Sequence, residues 1–379
     1  MLSSLTCGAT SLKFLIHDGD QRLNISVFGA GAWGTALAVH AACKHSVILW
    51  CRDALQAKQM QQDRINTRYL PGVRLPDNLR ITSDWQEASS ILNRESVAVI
   101  ATPLSGLSQT LKLLSRLSAN EHGQSSTKVE GGSVGSVGSV GSVSAGLVIA
   151  NLAKGIESQT YLLPHQIARR DAPHCAMVSL SGPSFAAEVA SGLPAALAAA
   201  GSDSHARQRV IDAFHHQSMR VYGTGDVVGV ELAAALKNVI AIAAGACDGL
   251  ALGFNARAAL ITRGLSEITN IGLAMGARAE TFQGLAGFGD LVLTCTGSLS
   301  RNRQVGLLLA EGRPLAEITA SLGHVAEGVA CAAAAQALAI RLGVDAPIID
   351  AVNQVLFDQL PASQAVASLL GRAQKNELS

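Results

Sequence analysis

The chain has 379 residues, 48% of them apolar but only 4% aromatic, and a formal net charge of +1. This length admits two domains of ordinary size with cores built from Ala, Leu, Val and Ile. The near-neutral charge provides no global field for nucleic acid or an anionic membrane, so any anion must be held by a local site.

Seven scattered cysteines form no CxxC pair, which argues against a disulfide framework or zinc site and fits a reducing, cytoplasmic setting. Residues 1–23 read as a loose extension, because FLIH is too short for a signal-peptide core and runs straight into Asp18 and Asp20. No stretch reads as a membrane span; the longest apolar run, Asp226 to Gly245, carries Glu231, Lys237 and Asn238.

Asn24 to Phe28 (NISVF) predicts a buried strand, followed by Gly29-Ala30-Gly31-Ala32-Trp33-Gly34, a helical TALAVHAACK and a second strand, SVILWCRD. This is the strand, G-x-G-x-x-G, helix, strand order of a dinucleotide site. Gly29 permits the tight turn, Gly31 lets backbone approach a pyrophosphate, and Gly34 lets the helix pack on the strand. The second strand ends in Arg52 and Asp53. An Arg there suits the 2′-phosphate of NADP(H), while an Asp suits the ribose hydroxyls of NAD(H), so both cofactors stay open.

VAVIA (97–101) and GLVIA (146–150) predict further parallel strands. The second leads into Asn151-Leu152-Ala153-Lys154-Gly155, placing Lys154 at the carboxyl end of a strand, where open parallel sheets bind ligands. Between them, residues 118–145 contain GSVGSVGSVGSVS, expected to be a flexible surface insertion without a catalytic part. MVSL leads to Ser181-Gly182-Pro183-Ser184-Phe185, another strand-to-turn junction, and PAALAAAG and RVYG predict two more strands.

From Asp226 the texture changes to Ala/Leu-rich helical segments, which places a domain boundary near Gly225. The expected fold is therefore α/β: a doubly wound dinucleotide-binding domain over 24–225 and an all-helical domain over 226–379. Lys237 is the only lysine between Gly155 and Gln374, a region that otherwise uses Arg for positive charge. An ammonium, unlike a guanidinium, releases its proton when desolvated, so a lysine inside an apolar helix is a candidate acid/base; a snorkelling lysine is the plainer alternative. Asp290, after a Gly-rich turn, is either a helix N-cap or a site carboxylate. Ser300-Arg301-Asn302 sets a guanidinium between two hydrogen-bonding side chains, a combination suited to phosphate. Ten histidines lack metal-ligand spacing and GxSxG is absent, so no metal site or serine nucleophile is expected.

GAGAWGTALA, YLPGVRLPDNL, AKGIE, SGPSFAAEVASGLP, ELAAALKNVIAIAAGACDGL, NARAALITRGLSEI, GLAGFGDLVLTCTGSLSRNR and VAEGV occur in that order over residues 24 to about 372. On these stretches the sequence resembles the bacterial-type NAD(P)-dependent glycerol-3-phosphate dehydrogenases. The resemblance implies a doubly wound domain packed on a helical one with the active site between them. It implies reversible reduction of dihydroxyacetone phosphate to sn-glycerol 3-phosphate for phospholipid synthesis, with NADP or NAD (NADPH preferred), in a cytoplasmic homodimer.

By the same carry-over Lys237 is the acid/base and Lys154 meets both substrate and cofactor. Gly182, Ser184, Asp290, Ser300, Arg301 and Asn302 bind substrate. Ala32, Trp33, Arg52, Lys154, Ala186, Arg301 and Glu327 contact the cofactor, alongside Gly29, Gly31 and Gly34. The family more often has Ser and an aromatic such as Tyr where this chain has Ala32 and Trp33, which removes one hydroxyl; Ser184 replaces a frequent Thr and keeps it. A β-hydroxyacid dehydrogenase with a similar lysine is the competing enzyme, disfavoured by the Ser300-Arg301-Asn302 cluster. A redox sensor binding NAD(P)H without turnover would not need Lys237 or Asp290.

Overall fold

The computed structural model describes residues 22–123, 146–322 and 326–372. Most of the expected extension (1–21) and of the GSV insertion (124–145) lies outside the described residues. Two edges of those expectations need correcting. Leu23 is buried, its carbonyl accepting from Ser46 N at 3.0 Å, and a helix over Leu104–Gly123 runs through the first six positions assigned to the insertion.

In chain order the strands are β1 (Asn24–Phe28), β2 (Ser46–Trp50), β3 (Ile65–Asn66), β4 (Leu70–Arg74), β5 (Arg80–Thr82), β6 (Val97–Ile100), β7 (Val148–Asn151), β8 (Ala176–Ser181), β9 (Ala195–Ala200) and β10 (Met219–Thr224). Eight of them form one sheet in the order β10-β9-β8-β7-β6-β1-β2-β5, and β3 and β4 pair separately. Every neighbouring pair in the large sheet is parallel except β8 and β9. The central strands are apolar on both faces because helices cover both. Ile25, Val27, Val97, Val99, Val148 and Ala150 pack into one layer, while Phe28, Ala98, Ile100 and Ile149 pack into the other. This alternation, inside runs that look uniformly hydrophobic, is what a buried parallel sheet requires.

After β10 the chain becomes helical, as expected. The helix that carries Lys237 spans Val227–Gly249, four residues longer at its carboxyl end than the sequence reading. Asp226 caps it, accepting from Gly229 N at 3.0 Å, and its other oxygen accepts from Arg278 N (2.9 Å) and Thr281 Oγ1 (2.6 Å). By length and a mean hydropathy of 1.8 this helix passes for a membrane span, contrary to the expectation that no stretch would. Its surroundings explain the composition: 83% of that window is buried inside the protein. Helices over Gly253–Ala274, Asp290–Thr296, Arg301–Ala310 and Glu327–Leu342 pack around it. A central helix walled on all sides is apolar all round.

One of these contacts is unusually close. A Cβ on Gly245 would lie 1.9 Å from the Arg303 carbonyl oxygen, and one on Gly306 would lie 1.9 Å from that of Ile242. The two backbones therefore touch, fixing the first half of the Arg301–Ala310 helix against the carboxyl-terminal half of the central one. Asp248 reinforces the junction, accepting from Arg257 Nη1 at 3.0 Å and Arg303 Nε at 2.8 Å. Gly306→Ala should force the helices apart and lower stability by about 1–3 kcal/mol, the usual penalty for overpacking. An unchanged urea midpoint would show that the contact yields freely.

Three imidazoles meet at the far end of the first βαβ unit. His40 and His216 stack at 4.0 Å with planes 8° apart, and His45 meets His216 edge-on at 5.7 Å. Burial, opposed in His40 by the Phe214 carbonyl and aided in His45 by Lys44, pushes both down from 6.5 to about 4. Because the folded pKa lies below the unfolded one, the unfolded chain protonates first, and stability is lost as pH falls from 6.5 toward 4. Each such imidazole adds a slope of about 1.4 kcal/mol per pH unit in that window. His216→Phe keeps a flat ring while removing one titrating member, so its unfolding free energy should fall less steeply between pH 7 and 5 than that of the wild type. Parallel slopes would mean that the cluster does not set acid stability.

Candidate active site

The dinucleotide end is shaped by backbone. Gly29 follows β1 with φ +123°, and a Cβ there would lie 2.6 Å from the Ala101 carbonyl oxygen. Gly34 is as constrained, its Cβ position being 2.1 Å from the Gly29 oxygen and 2.7 Å from Ala101 Cβ. Gly31 faces open space and caps a helix over Ala32–Ala42 with no side-chain hydrogen bond, leaving the first amides free for an anion. Residues the sequence reading did not single out hold this turn in place. Asn66 and Gln56, both buried, donate to the Ala30 carbonyl at 2.9 and 3.3 Å, and Asn66 also donates to Thr35 Oγ1 at 2.8 Å. Asn66 precedes the quoted YLPG segment, but nothing in its local pattern reveals a partner 36 residues away. These features fit a dinucleotide diphosphate.

Trp33 packs partly against the core, and Ala186 opens a short helix, Ala186–Ala190, lying against the Ala32–Ala42 helix. At the end of β2, Arg52 is exposed. Asp53 is committed as a cap, accepting from Leu55 N (2.9 Å) and Gln56 N (3.2 Å), and its second oxygen lies 3.9 Å from Arg68. Two guanidiniums and one occupied carboxylate stand where ribose selectivity is decided.

The chemical centre lies about one buried ion pair. Lys237 Nζ is 2.5 Å from Asp290 Oδ1 and donates to Thr294 Oγ1 at 3.1 Å, while Lys154 Nζ lies 3.6 Å from Asp290 Oδ2. Ser181 Oγ also donates to that oxygen at 3.3 Å. Lys237 therefore does not snorkel; its side chain is 7% exposed. Asp290 is not an N-cap either, since it is the first residue of the Asp290–Thr296 helix and Gly289 occupies the cap. A π-helical turn over Leu285–Gly289 delivers it, and such turns recur at functional sites. Burial lowers the Lys237 pKa from 10.5 to about 8, with Asp290 opposing and Lys154 adding to the shift. The lysine is thus an ammonium that releases its proton near neutrality.

A cavity opens beside this pair, lined by Ser184, Asn238, Ser300, Arg301, Asn302 and Glu327, with Phe185, Leu293 and Leu299 as apolar walls. Arg301, exposed at the start of its helix, presents its guanidinium at the rim. Ser300 caps that helix through Arg303 N at 3.3 Å. Asn302 is framework as well as lining: it donates to Asn238 Oδ1 at 3.0 Å and accepts from Gly328 N at 2.9 Å. Asn238 in turn donates to Glu327 Oε2 at 3.2 Å. Ser184 Oγ donates to the Gly182 carbonyl at 3.0 Å, holding the turn after β8. Arg52 and the glycine turn do not line this cavity. Thr294 and Asn238 are cavity residues that were not selected beforehand; Asn238 adjoins Lys237, and Thr294 sits one helical turn after Asp290, the only cues the sequence offers.

Among known proteins, the family model for the N-terminus of NAD-dependent glycerol-3-phosphate dehydrogenase matches residues 24–129 and 136–207, and that for its C-terminus matches 226–367. The chain is 49% identical over 361 residues to glycerol-3-phosphate dehydrogenase [NAD(P)+] of Herminiimonas arsenicoxydans, covering 94% of this chain and 100% of that protein. It is 50% identical over 356 residues to the enzyme of the same name from Methylibium petroleiphilum, covering 94% and 98%. The crystal structure of glycerol-3-phosphate dehydrogenase from Coxiella burnetii superimposes with a TM-score of 0.82 at 35% identity, covering 93% of this chain and 99% of that one. A redox sensor or β-hydroxyacid enzyme is set aside: the chain belongs to the NAD(P)-dependent glycerol-3-phosphate dehydrogenase family of oxidoreductases.

Proposed function

We propose that this chain interconverts dihydroxyacetone phosphate and sn-glycerol 3-phosphate, with Lys237 as the acid/base, and that it supplies glycerol 3-phosphate for phospholipid synthesis. The observation that carries this reading is the buried Lys237 ammonium, braced by Asp290 and Thr294, beside a cavity whose rim holds Arg301. The nicotinamide, when bound, supplies or accepts the hydride at the carbinol carbon. In the reductive direction Lys237 neutralises the charge that develops on the carbonyl oxygen and then gives it a proton; in the oxidative direction the neutral amine takes that proton back. Asp290 aims the ammonium and balances its charge. Lys154 meets both substrate and cofactor from the end of β7, and Arg301, with Ser300 and Asn302, receives the phosphate. Gly182 and Ser184 close the substrate side; Ala32, Trp33, Ala186 and Glu327 adjoin the cofactor.

The proposed division is a dinucleotide-binding domain over 24–225 and a substrate domain over 226–379. The exposed Arg52, with Asp53 occupied as a cap, favours NADPH over NADH. A cytoplasmic homodimer without nucleic-acid or membrane partners completes the reading; exposed Leu252 and Phe254 offer apolar surface for a second copy.

The decisive experiment is steady-state reduction of dihydroxyacetone phosphate with NADPH and NADH side by side. Lys237→Met retains the apolar stem and should lower turnover by about three orders of magnitude, since it removes both a general acid and its charge. A folded variant keeping a tenth of the activity would end the assignment. The amine is the base, so kcat/KM for glycerol 3-phosphate oxidation should climb as pH rises through about 8, while that for reduction declines. A flat profile across pH 7–9 in both directions would count against Lys237. Arg301→Ala should largely erase the preference for phosphorylated over unphosphorylated dihydroxyacetone, because binding energy at a remote group is used to orient the reacting centre. Strong discrimination by the variant would put the phosphate elsewhere.

A further inference from the structure

Of the three charges on the central helix, Lys237 serves the chemistry above and Asp248 pairs with Arg257 and Arg303, which leaves Glu231. It lies six residues before Lys237, about 9 Å back along the axis and about 120° round it; its carboxylate meets Ser179 of β8 and does not line the cavity. It is 3% exposed. Docking an apolar helix on a sheet does not require a carboxylate, and burying one is costly unless its oxygens are fully hydrogen-bonded. Here they are. Ser179 Oγ donates to Oε1 at 2.6 Å, and His165 donates to Oε2 from its backbone amide (3.1 Å) and its ring Nδ1 (2.7 Å).

Both donors lead to Lys154. Ser179, on β8, stands in register with Asn151 at the end of β7, and accepts from Asn151 Nδ2 at 3.3 Å. Asn151 then clamps the backbone of the residue before Lys154, donating to the Ala153 carbonyl (3.1 Å) and accepting from the Ala153 amide (3.1 Å). His165, in the first turn of the Pro164–Asp171 helix, closes the other end of the loop that begins there. The loop carrying Lys154 is thus tied at both ends to one carboxylate of the helix carrying Lys237. The circuit closes through Asp290, which both lysines approach.

We propose that Glu231 is a positioning residue that sets Lys154 relative to Lys237, through Ser179 and Asn151. The inference rests on the functional reading above, in which both lysines act at the substrate. It explains why the apolar stretch of the helix that packs on the sheet keeps a buried carboxylate: the link fixes the register of the sheet loop against the helix, which non-directional apolar contact does not.

The test is a pair of double-mutant cycles on turnover of dihydroxyacetone phosphate with NADPH, accompanied by thermal midpoints. Glu231→Gln leaves an amide N–H facing donors, and Ser179→Ala breaks the same link by deleting one hydroxyl, so the second variant serves if the first folds poorly. Each should lower kcat by roughly ten- to a hundredfold, the scale of an ångström-level misplacement. In a Lys154→Ala background neither should lower it further, because the residue they position is gone. Effects that multiply with Lys154→Ala, or single variants within twofold of wild-type turnover, would overturn the proposal while leaving the functional reading intact. A Lys154→Ala enzyme with wild-type turnover would overturn the assignment of Lys154 itself, and this inference with it.

Discussion

The structure depends on a buried ion pair, Lys237 with Asp290. Lys237 and Asp290 are almost completely withdrawn from water and lie 2.5 Å apart. Removing two charges from solvent is expensive, and their attraction offsets that expense only when remaining hydrogen-bonding capacity is met. Thr294 Oγ1 accepts a hydrogen bond from the ammonium, while Ser181 and Lys154 occupy the far carboxylate oxygen. A more generous set of acceptors would hold the ammonium too firmly to release its proton. The balance between burial and Asp290 leaves the lysine at about 8, a value that suits the acid/base role proposed for it.

That balance demands precise placement of elements far apart in sequence. Asp290 arrives on a short helix after an irregular turn, Lys154 on a loop at the end of β7, and Ser181 at the end of β8. The central helix brings them together by packing simultaneously against β8 and against its helical neighbours. Its amino-terminal end is tied down by Asp226, which reaches Arg278 and Thr281 as well as its own first turn. Its carboxyl-terminal half is fixed by the backbone contact at Gly245 and Gly306 and by the Asp248 ion pairs. The same contact seats Ser300, Arg301 and Asn302 at the cavity. The Ser300-Arg301-Asn302 cluster and the Lys237–Asp290 pair therefore share one mechanical support.

Much of this was legible in the residues. The strand, glycine turn and helix of the first unit follow from local requirements: a positive φ at Gly29, and no room for a side chain at Gly34. The stretches VAVIA and GLVIA follow from uniform hydrophobicity, which only a doubly covered sheet allows, and the strands lie at Val97–Ile100 and, shifted toward the carboxyl end, Val148–Asn151. The isolation of Lys237 in an apolar helix among arginine-using segments correctly marked it as a buried amine. Asp290 was ambiguous because an aspartate after a Gly-rich turn does two jobs equally well on local evidence.

What the sequence by itself determined is therefore the main strands of the sheet, the glycine turn with its helix, the central helix, and which polar groups sit in apolar surroundings, because these depend on backbone sterics and on periodicity within a few residues. Only the tertiary structure decided which of those groups face one another. Asn66 pinning the glycine turn, Asn302 bridging Asn238 and Gly328, Thr294 receiving Lys237, and Glu231 joined to Ser179 and His165 are all contacts between residues 26 to 66 positions apart. No local pattern encodes such a pair, since each partner alone is an ordinary polar residue. The pairing exists because packing of the helix on the sheet excludes water there, leaving each buried polar group no partner but the other.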